Sequence, residues 1–591
     1  MSDYTPVHKG IPGKPFYSLL RYNLAYWRQY TVGMVLSIFF VVIGLLPPLL
    51  IGQVIDGMDQ RSLTPSMLAL NVGGILGVAL FTGIARYYQR MLMIGASRAF
   101  EYDLRNDFFR HVQQQSPHFF HRVQTGDIMA RATNDLNFVR EFIGPGIMGT
   151  VDMLRIPFTL GMMIYISARL TAMTLIPLPL ISIVVYVIIH YMHKQSRVVQ
   201  ELFSTVTARA QENLAGARVV KAYGIAEREV NAFKKLSKEY MRANVKLVAL
   251  ASFLFPLIGL IIGLITLVVI WQGGRMVIQG NLSIGNLTSY LMYMMMLTWP
   301  LVQFGWIITL YQRGMVGMER ILGLLKEVPD IRDDEHTRHD AEITEGAIEF
   351  DDVSFAYNDT TVIDRVSFTV APGETLAIVG STGSGKSTIM SLIAREYDPV
   401  EGSVRIDGLD VRHYPLHTLR GALGFVPQDT FIFSDTVRGN LAMGRPVSEE
   451  DIWQACEVAQ LTESIEAMEQ GMDTLLGERG INLSGGQKQR LTLARAIVGN
   501  PQILLLDDAL SSVDTQTEEK ILQRLRNVME ARSTVIISHR VSTIRHADKI
   551  LVMHEGCVVE SGDHNSLLAL DGKYAEMYQR QLLEDVLEGE V

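Results

Sequence analysis

Up to about residue 320 the chain is written in long apolar blocks, and beyond that point the blocks are short. Six long stretches stand out: Thr31–Ile55, Ser66–Tyr88, Gly146–Ser167, Thr171–Met192, Leu247–Gly273 and Ile284–Tyr311. Each holds about 20 residues or more, which as a helix crosses a hydrocarbon layer of about 30 Å. The run Phe253–Trp271 contains no charged residue at all, which argues against buried helices of a soluble core. Pro47, Pro48, Pro177, Pro179, Pro256 and Pro300 fall inside these stretches, where neighbouring helices can satisfy the freed carbonyls, so kinks are expected. From Gly346 onward short β-rich runs alternate with helical ones, the pattern of an α/β domain.

The polar spacers are uneven. Stretches two and three, and again four and five, are separated by long segments rich in Arg and Lys, including Arg98, Arg105, Arg122, Arg131, Arg209, Lys221, Lys234 and Lys246. The positive-inside tendency puts both segments, and with them both termini, in the cytoplasm. Their own patterning is helical, as in Phe100–Val112, so the membrane helices should run on into the cytoplasm. They should reverse near His118–Gly126 and Glu212–Tyr223, where Gly126 and Gly216 suit a turn.

Composition sharpens this division. A chain of 591 residues is too long for one core, and a mean hydropathy of +0.18 is high for a wholly soluble protein. The net charge of -9 argues against nucleic acid as a partner. The two cysteines, Cys456 and Cys557, both lie in the polar half, so a disulfide framework is not expected and a reducing compartment suits that half. Met1–Pro15 is polar and lacks the apolar core of a signal peptide, which leaves insertion to the internal stretches.

The chemistry concentrates after residue 346. Gly380-Ser381-Thr382-Gly383-Ser384-Gly385-Lys386-Ser387-Thr388 is a complete phosphate loop, set between a strand-like run, Thr375–Val379, and a helix-like run, Ser387–Ile393. Glycines let successive N–H groups face one anion, and the helix N-terminus adds its positive dipole end. Lys386 supplies a point charge for the β- and γ-phosphates, and the Ser387 hydroxyl can ligate Mg²⁺. The chain is expected to bind ATP or GTP. A second run, Ile503–Asp507 followed by Asp508, reads as a buried parallel strand delivering a carboxylate to its C-terminal edge, with Asp507 placed to hold Mg²⁺.

Further motifs narrow the reading. Leu483-Ser484-Gly485-Gly486-Gln487, followed by Lys488-Gln-Arg490, resembles the signature of ATP-binding cassette proteins. Gln428, the Ala509–Asp514 loop and His539 in Ile536–Arg540 follow in that family's order. Six spans joined to one cassette, with two long cytoplasmic loops, resemble the exporter branch whose half-transporters work as dimers. The resemblance covers about residues 16 to 580.

The resemblance implies a role for each of these positions. Tyr357 would stack on adenine. Gln428 would touch Mg²⁺ or the attacking water, and His539 would hydrogen-bond the γ-phosphate. Ser484, Gly485, Gly486 and Gln487 would cap a nucleotide on the opposite cassette, so a second half-transporter is implied. Position 508 departs from the family, which carries Glu directly after the strand aspartate to polarise water. Asp508 is one methylene shorter, and a displacement of about 1 Å can cost about 10²-fold in rate. The expectation is therefore a degenerate ATP site within a heterodimer. The alternatives are a homodimer in which Asp508 is the catalytic carboxylate, or a regulatory ATP-binding membrane protein.

The expected architecture is an α-helical membrane domain (six transmembrane helices with long cytoplasmic extensions) fused to an α/β P-loop nucleotide-binding domain. The expected boundaries are 1–320, a linker at 321–345, the cassette at 346–580 and a tail at 581–591. Its setting would be the cytoplasmic (inner) membrane of a bacterial type of cell, with the cassette in the cytoplasm. The cargo would be a hydrophobic or amphipathic compound, a drug or a lipid. Met and aromatic residues in Leu291–Trp299 read first as helix packing or lipid contact, and Asp152 and Arg155 as a pair facing a neighbour or a water-filled cavity.

Overall fold

A computed structural model of the full chain describes residues 15–176, 178–358 and 360–589. It divides into two compact units, residues 1–110 with 126–326, and residues 111–125 with 327–591. The turn at residues 111–125 thus groups with the second unit rather than with the helices that flank it in sequence.

The first unit is helical. Five helices among the described residues are long and apolar enough to cross a membrane: Pro15–Asp59, Pro65–Gln113, Thr125–Leu175, Ala226–Ile278 and Ile284–Leu325. The fourth expected stretch, Thr171–Met192, runs over Pro177, which lies outside the described residues; the helix Leu178–Ala215 follows it. The helix Pro65–Gln113 has 49 residues and so extends about 73 Å, far more than a bilayer core requires. Its distal part buries Phe100, Leu104, Phe108 and Val112, one face at a spacing of four. The long helices reverse through short ones, Pro117–Arg122 and Ala217–Ala222. The left-handed glycine at these reversals is Gly224 (φ +63°), while Gly126 is helical and Gly216 sits at φ −87°. The last membrane helix runs on to Leu325, into the segment expected as linker.

Prolines act unequally. Pro47 and Pro48 open the helix Leu46–Asp59 after a break at Gly44–Leu45. The Tyr293 hydroxyl donates to the Leu45 carbonyl at 2.5 Å and the Ser289 hydroxyl to the Pro48 carbonyl at 2.7 Å, which satisfies the break from the neighbouring helix. Pro256 and Pro300 lie inside helices that continue through them. In the Leu291–Trp299 segment Tyr293, Met294 and Leu297 are buried in the helix core, whereas Met295 and Trp299 face outward. Asp152 and Arg155 flank a turn at Met153–Leu154, and the Arg155 guanidinium lies 5.1 Å from the Phe40 ring, with Arg86 5.6 Å from the same ring.

Among the described residues the second unit carries ten strands: β1 (Ile348–Tyr357), β2 (Thr360–Val370), β3 (Thr375–Gly380), β4 (Glu401–Ile406), β5 (Leu409–Asp410), β6 (Leu423–Val426), β7 (Ile503–Asp507), β8 (Ser533–Ile537), β9 (Lys549–His554) and β10 (Cys557–Gly562). A four-stranded antiparallel sheet runs β2-β1-β4-β5, and a six-stranded sheet runs β10-β9-β3-β8-β7-β6. In the second sheet β6, β7, β8, β3 and β9 are parallel and only β10 is antiparallel. Strands β3, β7 and β8 are buried along their whole length, as expected of parallel strands covered on both faces. The final helix, Lys573–Gly589, runs through the start of the expected tail.

Candidate nucleotide site

The site forms where the parallel strands end. Strand β3 delivers the phosphate loop, and β8, β7 and β6 lie beside it in turn, so His539, Asp507 with Asp508, and Gln428 leave the same sheet edge. Ligands gather at this edge in open α/β sheets.

The loop's shape demands glycine where the backbone is crowded. Gly380 has φ +151°, and a Cβ there would approach the Met553 carbonyl oxygen to 2.2 Å; Gly385 has φ +96° and caps the helix Lys386–Ile393. Gly383 has φ +82° with open space around it. Ser381, Thr382 and Ser387 are exposed, whereas Ser384, Lys386 and Thr388 are buried. The Lys386 ammonium donates to the carbonyls of Gly380 and Ser381, each at 2.8 Å, which fixes the charge over the loop. Burial holds its pKa below the usual lysine range, and the carboxylates of Asp508 and Asp507 oppose that shift.

Asp507 is 4% exposed. Burial raises its pKa, the Ser387 hydroxyl hydrogen-bonds it and lowers it, and the Asp508 charge raises it again. Among the described residues the Oδ1 of Asp507 and the Oγ of Ser384 are buried without a hydrogen-bond partner. A carboxylate with a spare buried oxygen beside a serine hydroxyl is a donor set that suits Mg²⁺, which takes one or two protein ligands and fills the rest with phosphate oxygens and water. Asp507 and Ser387 would hold the ion there, and when bound it would supply positive charge to neutralise the phosphates.

Asp508 adopts φ +46°, a left-handed conformation that Asp tolerates better than most residues. Its amide donates to the Ile537 carbonyl at 2.9 Å, and its carboxylate lies 3.4 Å from Nε2 of His539. The aspartate side chain is 11% exposed and the histidine 49%. Gln428 is exposed two residues beyond β6. Tyr357, at the end of β1, packs edge-on against Tyr397 with ring centroids 5.2 Å apart, so a second aromatic braces the expected adenine platform.

The signature is built as a helix start. Ser484 caps the helix Gly485–Ile497: its hydroxyl accepts from the Gln487 amide at 3.3 Å while the Gln487 side chain accepts from the Ser484 amide at 2.9 Å. A Cβ at Gly486 would meet the Ser512 carbonyl oxygen at 2.9 Å, and one at Gly485 would meet the Ser512 side chain at 3.6 Å. Among the described residues no hydrogen bond or ion pair joins this segment to the phosphate loop. Its ties run to the loop after β7, through Gln489, which donates to the Ser511 hydroxyl and accepts from the Ser512 amide, both at 2.7 Å.

Gln489 and Arg540 have no role in the sequence reading, although both stand inside quoted motifs. Arg540 pairs with the buried Glu518 and donates to the carbonyls of Ser511 and Val513, binding the His539 loop to the Ala509–Asp514 loop. A polar side chain amid the apolar turns of Gly485–Ile497 is the sequence signal that could have found Gln489.

Comparison with known proteins identifies the family. Residues 30–301 match the model of the ABC transporter transmembrane region, and residues 363–511 match that of the ABC transporter domain itself. The chain belongs to the ABC transporter family. It is 35% identical to the multidrug resistance-like ATP-binding protein MdlA of Escherichia coli, over 95% of this chain and 96% of that one. It is 34% identical to an ATP-dependent lipid A-core flippase of Syntrophus aciditrophicus, over 88% of this chain and 86% of the flippase. A solved bacterial Atm1-family ABC exporter with ATP bound superposes with a TM-score of 0.77 at 29% identity, covering 95% of this chain and 99% of that one. The ABC transporter described here is thus an exporter of the inner membrane, with a helical membrane domain followed by an ATP-binding α/β domain, and it couples ATP hydrolysis to transport.

Proposed function

We propose that this exporter is one half of a heterodimer and moves drugs or lipids across the inner membrane, with its own phosphate loop forming the slower of two ATP sites. The observation that carries this reading is Asp508. Its shorter side chain is drawn to His539 at 3.4 Å and is nearly buried, so it has little reach toward a water in line with a γ-phosphate. The signature from Leu483 to Gln487 is intact and makes its contacts away from its own phosphate loop, which suits service to a partner's site. On this reading Ser484 acts in trans, Tyr357 stacks on adenine, Gln428 reports nucleotide state and His539 holds the γ-phosphate. The two short intracellular helices, Pro117–Arg122 and Ala217–Ala222, pass cassette motion to the membrane helices.

The relatives named for multidrug resistance and lipid A-core flipping support an amphipathic cargo. So does the intramembrane group of Arg86, Asp152 and Arg155 around Phe40, since charge within a span is costly unless used.

The test is turnover. Asp508→Asn should change ATP hydrolysis of the assembled transporter little, while Glu→Gln at the matching position of the partner should nearly stop it. Robust hydrolysis by a purified homodimer of this chain, abolished by Asp508→Asn, would overturn the proposal. That outcome is the second reading, in which Asp508 is the catalytic carboxylate.

A further inference from the structure

We infer that Gln581, on the final helix, is a positioning residue for His539. His539 leaves β8 on a short loop, and the helix Val541–Ile544 begins two residues later. The residue preceding that helix, Arg540, gives it no side-chain cap. The Val541 amide is satisfied instead from far along the chain, by the side-chain oxygen of Gln581 at 2.9 Å. Nothing in local sequence supplies this bond, which spans 40 residues.

The final helix is well fixed for such a task. Its first amides, Lys573 and Tyr574, donate to the Glu560 carboxylate of β10 at 2.6 and 3.1 Å. Tyr574 and Met577 then enter the apolar cluster that holds Val541, Ile544 and the β3 residues Ala377 and Val379. Positions 574, 577 and 581 share one helix face, so packing of the first two carries Gln581 over the Val541 amide. On the opposite side Arg540 is tied to the buried Glu518, and the Thr543 hydroxyl donates to the same carboxylate at 3.0 Å. The loop bearing His539 is thereby clamped between the helix Thr515–Met529 and the C-terminal helix. The clamp sets where the His539 backbone lies, and from there the imidazole reaches out beside the Asp508 carboxylate, which lies 3.4 Å from its Nε2. This rests on the reading of His539 as the γ-phosphate ligand.

The readout is the preference for ATP over ADP, because only ATP carries the γ-phosphate; it does not depend on whether the site hydrolyses. Dissociation constants for both nucleotides would be measured with Mg²⁺ on the purified full-length chain, by displacement of a fluorescent nucleotide. Gln581→Leu should lower the ATP-over-ADP preference about three- to tenfold, the effect of one lost hydrogen bond, with ADP affinity unchanged. Gln581→Glu keeps an acceptor oxygen at the same reach and should stay within about twofold of the parent. The reference is His539→Ala. If it lowers the preference and Gln581→Leu does not, the brace is refuted alone. Equal losses in the Leu and Glu variants, or a loss of ADP affinity, refute it as well. If His539→Ala itself keeps the full preference, the γ-phosphate reading fails and the brace falls with it.

Discussion

The two units differ in what they expose. In the cassette most large apolar residues are gathered under the sheets, and among its buried polar residues Ser384, Lys386, Thr388 and Asp507 stand at the nucleotide site. In the membrane unit Leu70, Leu76, Leu80 and Leu267 face outward, while Ser37, Gln89, Thr159, Ser289 and others are buried. Water surrounds the cassette and hydrocarbon the membrane spans, so apolar side chains can face outward along the spans while polar ones turn inward. In water, apolar burial drives folding and a buried charge marks function. In a bilayer there is no such drive between helices, so close contact and internal hydrogen bonds hold them together. The pair Gly52 and Gly285 shows it: a Cβ on Gly285 would come within 2.0 Å of the Gly52 carbonyl oxygen. Around that contact Asp56 accepts from the Gly285 amide and from the Ser283 hydroxyl, both at 2.7 Å.

The comparison breaks most clearly at Lys386. Lys386→Ala should abolish tight MgATP binding at this chain's site, because the phosphates lose the loop's only lysine, while the membrane unit folds normally. Labelling of the mutant by a photo-crosslinkable ATP analogue as strongly as wild type would contradict this. An all-or-none test applies to the other unit. Cysteines at Arg169 or Asn281 should react with impermeant thiol reagents from outside, and cysteines at Gln124 or Ala215 should not. The reverse pattern would sink the proposed orientation.

A graded effect is expected at Gly285. Gly285→Val overpacks the contact with Gly52 and should cost about 1–3 kcal/mol or more. The melting temperature in detergent should fall by several degrees, with ATP affinity of the cassette preserved; an unchanged melting temperature would refute the close-contact account. The smallest effect concerns the cassette's own core. Cys456 is fully buried and its thiol is pushed up to about 12 by burial. A raised pKa keeps the thiol protonated, and so unreactive, well above neutral pH. Alkylation at about pH 8 should therefore modify the half-buried Cys557 first and reach Cys456 only on unfolding. Equal rates for the two would show that the cassette opens locally around Cys456.

Sequence alone determined whatever depends on short-range pattern. An uncharged run such as Phe253–Trp271 must be a helix in lipid, because no other local structure satisfies its backbone there. A phosphate loop needs Gly380 and Gly385 in register with a strand and a helix, and all the parts lie within fourteen residues, Thr375 to Thr388. The strand before Asp507 was legible for the same reason. Only the tertiary structure decided which strand ends share an edge, since the order β3-β8-β7-β6 is not the chain order. It alone put the Asp508 carboxylate against His539, joined Arg540 to Glu518, and grouped residues 111–125 with the cassette. It also showed that the turn glycine is Gly224 and that Gln581 holds the Val541 amide. These pairings cross tens to hundreds of residues. A local pattern sets what each segment can become, but the partner of a lone polar side chain is chosen by the packing of whole elements.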